Sequence, residues 1–312
     1  MAALFEQTLI LLVFIAVGFG LSKARIVHSE HAKILSELFV YIFLPCNCIS
    51  TFSANFTVEY ITEKYTLIIS SAVLMIVTGV SMHFLAKLFS KNKYEQGLYE
   101  YSLVLSNCAG VGYSIALGVL GSEGLTDLMV FAIPINIYTY TYGYSMLTKR
   151  TISLKNIFTL KTLRMLLNPI TLSMLVGMIL GLTGISLPGF VSSALGSAAK
   201  CLTPAALLIV GIAISDFDLK KLFCDVRAYI AAAFRLVILP LVIGGVMWIC
   251  GIRGSVLASA VIFLACPCGM NTVTIPKLFD ENCEIGAGMA LISNLFSCVT
   301  IPIILMLFGI GI

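Results

Sequence analysis

Apolar runs of about twenty residues or more, enough to cross a bilayer at 1.5 Å per helical residue, follow one another along nearly all of this 312-residue chain. Punctuation by charged, glycine and proline residues divides them into ten predicted helical spans: Leu4–Ser22, Ala32–Phe52, Tyr65–Phe89, Gly97–Gly121, Leu125–Thr148, Leu163–Thr183, Val191–Ser215, Arg227–Cys250, Gly254–Leu278 and Ile285–Ile310. Only 11% of residues are charged and 59% are hydrophobic. A soluble domain carries about 25% charged residues, so this chain cannot dress itself in a water-compatible surface. The expectation is one membrane unit with no separate soluble domain. Met1 to Gln7 lack a basic stretch and a small-residue cleavage site, so the first run is expected to be a retained helix and not a signal peptide.

Basic residues orient the spans. Lys23, Arg25 and Lys33 fall in the first connection, and Lys87, Lys91 and Lys93 in the third. Lys149, Arg150, Lys155, Lys161 and Arg164 fall in the fifth; Lys220, Lys221 and Arg227 in the seventh; Lys277 in the ninth. Even-numbered connections hold only Lys64 and Arg253. Positive charge marks the cytoplasmic side, which predicts a multi-pass protein of the cell membrane with both termini extracytoplasmic.

The punctuation also repeats. Pro45 and Gly110 have counterparts at Pro204 and Gly269, and Pro134 is answered by Pro302 at a slightly larger offset. Five spans then repeat as five, residues 1–150 and 163–312, and an odd number per repeat forces inverted topology. Interrupted helices at corresponding places in two halves are the best sequence pointer to a transporter's binding site. Here they are the fourth span, Ser-Asn-Cys-Ala-Gly-Val-Gly-Tyr-Ser at 106–114, and the ninth, Ala-Cys-Pro-Cys-Gly-Met-Asn-Thr at 265–272. Pro267 removes a backbone donor, and glycine costs about 1 kcal/mol relative to alanine inside a helix. Broken backbone at membrane depth persists only inside protein or along a wet cavity. Half-helix N-termini meeting there suit an anionic ligand, and Asn107 and Asn271 supply side-chain donors. The plainer reading of any single glycine or proline is a kink or a close packing contact. Paired breaks, each with an Asn, favour a site built from Asn107, Gly110, Gly112, Ser114, Pro267, Gly269, Asn271 and Thr272, with Asn47, Asn136 and Arg235 as outer candidates.

These same residues resemble the auxin efflux carrier family, which includes plant PIN carriers and bacterial carriers of organic acids. Leu44-Pro45, Asn107 with Gly112, Asn136 with Gly143, Asn168-Pro169, Leu187-Pro188, Pro204 with Gly211, Arg235 with Pro240, and Ala265-x-Pro267-x-Gly269-x-Asn271 occur in the family's order and spacing. Ser114 stands where the family usually has proline. The resemblance implies ten helices in two inverted repeats with crossing fourth and ninth spans, a fold like that of sodium/proton antiporters or bile-acid symporters. It also implies transport of a small organic anion such as a carboxylate. A homodimer is suggested, with spans one, two, six and seven as a scaffold and spans three to five and eight to ten moving against it.

Charges inside spans are functional candidates by default. Arg235 is open between binding a substrate carboxylate, holding the crossing helices by their carbonyls, and snorkelling to the interface. Lys200 is expected to snorkel. Glu37 and Glu100 fall near inner helix ends and are expected to be solvated, so no carboxylate proton relay or charged sodium site is visible. A coupling ion, proton or sodium, is left open. No cofactor is implied. Cys266-Pro267-Cys268 raises an alternative, soft-metal transport by thiolates, but buried thiols are more commonly inert hydrophobes. The residues of an intramembrane protease are missing, so an enzyme is not expected. A membrane receptor that binds the same ligand without moving it is the other alternative.

Overall fold

A computed structural model describes residues 2–147, 169–215, 225–269, 271–278 and 281–311. The described chain is helical. It contains no strand, only an isolated antiparallel bridge between Ser106 and Cys268. The predicted charges of the fifth connection, Lys220 and Lys221, and the start of the sixth span lie outside the described residues.

Helix α1 is Ala2–Lys23. Helix α2 (Ser29–Leu38) runs through a π-helical turn, Phe39–Phe43, into α3 (Leu44–Asn55). A short α4 (Val58–Lys64), capped by the Thr57 hydroxyl, leads to α5 (Thr66–Phe89) and α6 (Lys93–Val104). Next come a π-helical turn at Cys108–Gly112, α7 (Tyr113–Tyr138), another such turn at Thr139–Gly143 and α8 (Tyr144–Leu147). The second half holds α9 (Pro169–Thr183), α10 (Gly189–Lys200) and α11 (Leu202–Ser215). Helix α12 (Val226–Ala233) passes through a π-helical turn, Phe234–Ile238, into α13 (Leu239–Ile249). It is followed by α14 (Gly254–Ala265), α15 (Asn271–Leu278) and α16 (Glu284–Leu307).

Two of the π-helical turns have a visible cause. Pro45 and Pro240 each stand in the first turn of the helix that follows. Proline cannot donate to the carbonyl four residues back, and the ladder widens by one residue in front of it. Gly121 divides α7, with φ 72° and ψ −164°, a conformation essentially restricted to glycine. The sequence expects the fourth span to end at that residue.

Among the described residues, six helices are long and apolar enough to cross a membrane: Lys33–Asn55, Thr66–Phe89, Cys108–Tyr138, Gly189–Ile212, Val226–Ile249 and Glu284–Leu307. Helix α5 shows why water is the wrong solvent. Ile69, Val73, Ile76, Val80, Phe84 and Leu88 are all exposed along it, a continuous apolar face that a soluble protein would bury. The most extensive pairings join α1 to α11 and α9 to α3. Both depend on glycine at the contact. A Cβ on Gly211 would lie 2.2 Å from the Ile15 carbonyl oxygen, and one on Gly181 would lie 2.4 Å from that of Phe56. Small residues let backbones touch where lipid supplies no hydrophobic drive.

Candidate functional site

The two predicted breaks meet. Helix α6 ends at Val104, and α14 ends at Ala265. Cys266 precedes a proline and is pushed into extended backbone, φ −64° and ψ 145°. The Asn107 backbone N–H then donates to the Pro267 carbonyl at 2.8 Å, beside the Ser106–Cys268 bridge. Gly269 lies against Ser106, where a Cβ would sit 3.5 Å from the Ser106 carbonyl oxygen. The two broken segments therefore satisfy one another's backbone groups at a place with no regular helix.

New helical segments start from this crossing on both sides. Asn107 caps the first: its Oδ1 accepts from the Gly110 N–H at 3.3 Å. A Cβ on Gly110 would come within 2.7 Å of that same oxygen, so the cap and the glycine require each other. Gly112 packs between the thiols of Cys108 and Cys266. Ser114 donates to the Gly110 carbonyl at 3.1 Å and shares a hydrogen bond with the Thr203 hydroxyl at 2.8 Å, linking α7 to α11. On the other side, the Thr272 hydroxyl donates to the Gly269 carbonyl at 2.8 Å, and Asn271 Nδ2 donates to the Tyr101 hydroxyl at 3.1 Å. The Cys268 N–H is held by Ser293 Oγ on α16 at 3.0 Å. Asn107 and Asn271 are only half-buried, whereas Ser114 and Thr272 are buried.

Arg235 decides among the roles its sequence position left open. It protrudes from the Phe234–Ile238 turn, is 0% exposed, and donates to four carbonyls. Nη1 reaches Leu103 at 2.7 Å and Val104 at 3.1 Å; Nη2 reaches Phe263 at 2.9 Å; Nε reaches Cys266 at 3.2 Å. These are orphan carbonyls at the C-terminal ends of α6 and α14, where the helix dipole is negative. One guanidinium thus closes both half-helix ends and stacks over the Phe263 ring. Its charge faces backbone, and the two helical N-terminal ends are left to supply positive potential at the crossing.

Of the outer candidates, Asn136 is half-buried on α7 and Asn47 is buried on α3, its Nδ2 without a hydrogen-bond partner. The structure corrects the expectation for the acids. Glu37 is exposed as expected, but Glu100 is 5% exposed and lies 2.9 Å from His83 Nδ1. Asp127 is also buried, accepting from the Tyr60 hydroxyl at 2.6 Å and from Lys64 at 3.0 Å. Sequence reasoning passed over Tyr101, Thr203 and Ser293 as well. The signal for them was present: polar residues in apolar runs, Thr203 directly before Pro204 and Tyr101 inside Tyr-Glu-Tyr. Among the described residues no three His, Cys, Asp or Glu side chains converge to hold a metal ion.

The chain matches the family model described as "Membrane transport protein" over residues 3–305, nearly its whole length. It belongs to the auxin efflux carrier family. It is similar to an uncharacterized transporter of Methanocaldococcus jannaschii, 26% identical over 309 residues with 96% of each chain covered. It is also similar to an uncharacterized transporter of Methanothermobacter thermautotrophicus, 21% identical over 314 residues with 96% of each covered. The protein is therefore a membrane transport protein, helical through its described residues, whose two broken helices bring polar groups together at the crossing.

Proposed function

We propose that this family member is a secondary carrier that moves a small organic anion, a carboxylate, across the cell membrane, and that the anion binds at the crossing. One observation carries the reading: the C-terminal ends of the two broken helices are closed by Arg235, while the N-terminal turns beginning at Asn107 and Asn271 keep half-exposed amides beside them. Helix N-termini and amide donors together make an anion site without a permanent side-chain charge. Asn107, Gly110, Gly112, Ser114, Pro267, Gly269, Asn271 and Thr272 form it; Asn47 and Asn136 lie on flanking helices, and Arg235 holds its frame.

The motion follows from how the helices group. The first span pairs with the seventh, α1 on α11, and the second with the sixth, α3 on α9, which supports a scaffold of spans one, two, six and seven. Arg235 ties the fourth, eighth and ninth spans into one body, which supports spans three to five and eight to ten moving as a unit. The proposed frame is ten spans in two inverted repeats, 1–150 and 163–312, both termini extracytoplasmic, in a homodimer. The test is counterflow of radiolabelled carboxylates, malate, malonate and an aromatic acid among them, in proteoliposomes. Saturable exchange that Asn107→Ala and Asn271→Ala each reduce at least tenfold is the expected result. Exchange of cations but of no carboxylate would overturn the substrate class.

A further inference from the structure

Helix α6, the half-helix that ends at the crossing, carries a second buried polar centre. Glu100 is 5% exposed; its Oε2 is 2.9 Å from His83 Nδ1 on α5, and its Oε1 is buried with no hydrogen-bond partner. The titratable and charged groups that face it are His83 and Lys87 from α5, Tyr138 at the end of α7, and Tyr142 in the turn that follows. Lys87 is turned to the Phe84 ring at 4.8 Å, so the cationic partner of the carboxylate is a histidine, with the Tyr142 hydroxyl as a further hydrogen-bonding neighbour. The His83 side chain is 44% exposed, which gives the pair an edge toward the outside of the bundle.

The charge states of this pair are unequal in cost. With one proton between them the pair is either an ion pair or two neutral, hydrogen-bonded groups, and both are tolerated in an interior. With no proton, an ionised carboxylate is left buried against a neutral ring, the costly case for a buried charge. A group so placed is suited to hold a proton and to release it when its surroundings change. Glu100 also adjoins Tyr101, whose hydroxyl receives the Asn271 amide, and Leu103 and Val104, whose carbonyls Arg235 holds. Glu100 thus shares one half-helix with three residues that serve the crossing.

We propose that His83 and Glu100 form a proton-binding site of this carrier, one proton per pair. The consequence for transport, a proton carried with the anion, rests on the carrier reading above; the site itself does not. Infrared difference spectra of the purified protein, recorded between about pH 5 and about pH 9, test it without any ligand. A Glu100-dependent band, a protonated-carboxyl stretch if the pair is neutral or a shifted carboxylate stretch if it is an ion pair, should titrate within that range in the wild type and be absent from Glu100→Gln. His83→Gln, which keeps a hydrogen-bonding side chain, should move the midpoint by at least one pH unit, a tenfold change in proton concentration. A wild-type spectrum with no Glu100-dependent band overturns the proposal, and so does a midpoint that His83→Gln leaves in place. Failure of the carrier reading is seen separately, as proteoliposomes that exchange no carboxylate while the infrared band still titrates.

Discussion

At the residue scale, Arg235 joins the ends of both broken helices. It is fully buried, has no carboxylate beside it among the described residues, and is stabilised by four carbonyls and an aromatic ring. Charged hydrogen bonds are worth about 1.5–3 kcal/mol each, and buried groups left unpartnered cost as much again. Arg235→Met, similar in volume, should lower stability by about 3–5 kcal/mol, read as a large fall in melting temperature and in the monodisperse yield from detergent. Arg235→Lys, a point charge without the planar fork, should recover part of it. A wild-type melting temperature in Arg235→Met would mean that the half-helix ends do not depend on this residue.

Residue identity made some of this legible and some not. Pro267 after Cys266, and Asn107 before Gly110, announce broken helix because their backbone chemistry is local. The burial of Glu100 is not local. Lys-Tyr-Glu-Gln at 93–96 makes the start of α6 look like a solvated helix end, and only the packing of α5 and α8 against α6 covers the next turn. The role of Arg235 was equally hidden, because sequence places a residue along a span but does not say toward which neighbour it turns. Tyr101 and Ser293 follow the same rule: each serves a break on another helix, far away in the chain.

At the element scale, the fold alternates between helices that must touch and helices that must end. The contact between α1 and α11 is set by glycine, and Gly211→Val puts a branched side chain where a Cβ already lies 2.2 Å from the Ile15 oxygen. Overpacking of this kind costs about 1–3 kcal/mol. Gly211→Val should therefore lower the melting temperature, while Gly245→Val, at a position with open space around it, should not. Equal effects at the two positions would contradict the close packing. The ends of elements are specified just as locally, by Thr57, Asn92 and Asp225 as helix caps and by Pro267 as a stop. The pairing of ends across the crossing is a tertiary result, and only the repeated Pro and Gly positions hinted at it.

At the scale of the whole molecule, hydrophobicity required a membrane, and the alternation of basic residues supplied an orientation. That orientation predicts that a C-terminal alkaline phosphatase fusion is active in bacterial cells and that a C-terminal green fluorescent protein fusion is dark, with the opposite pattern for fusions in the connection after α5. A bright C-terminal fluorescent fusion would reverse the frame. Across this frame the chain belongs to a transporter family, and its two broken helices meet where Ser106 and Asn107 pair with Pro267 and Cys268.

The most direct test is a thermal-shift titration of purified wild type and of the Asn107→Ala, Asn271→Ala double variant against a panel of small carboxylates. A ligand that binds only the native state at one hundred times its Kd raises stability by about 2.7 kcal/mol. The prediction is a saturable rise in melting temperature with at least one carboxylate in the wild type, and none in a double variant that is still folded. An equal rise in both proteins would place the anion elsewhere, and no rise with any carboxylate would contradict the claim that this crossing is an organic-anion site.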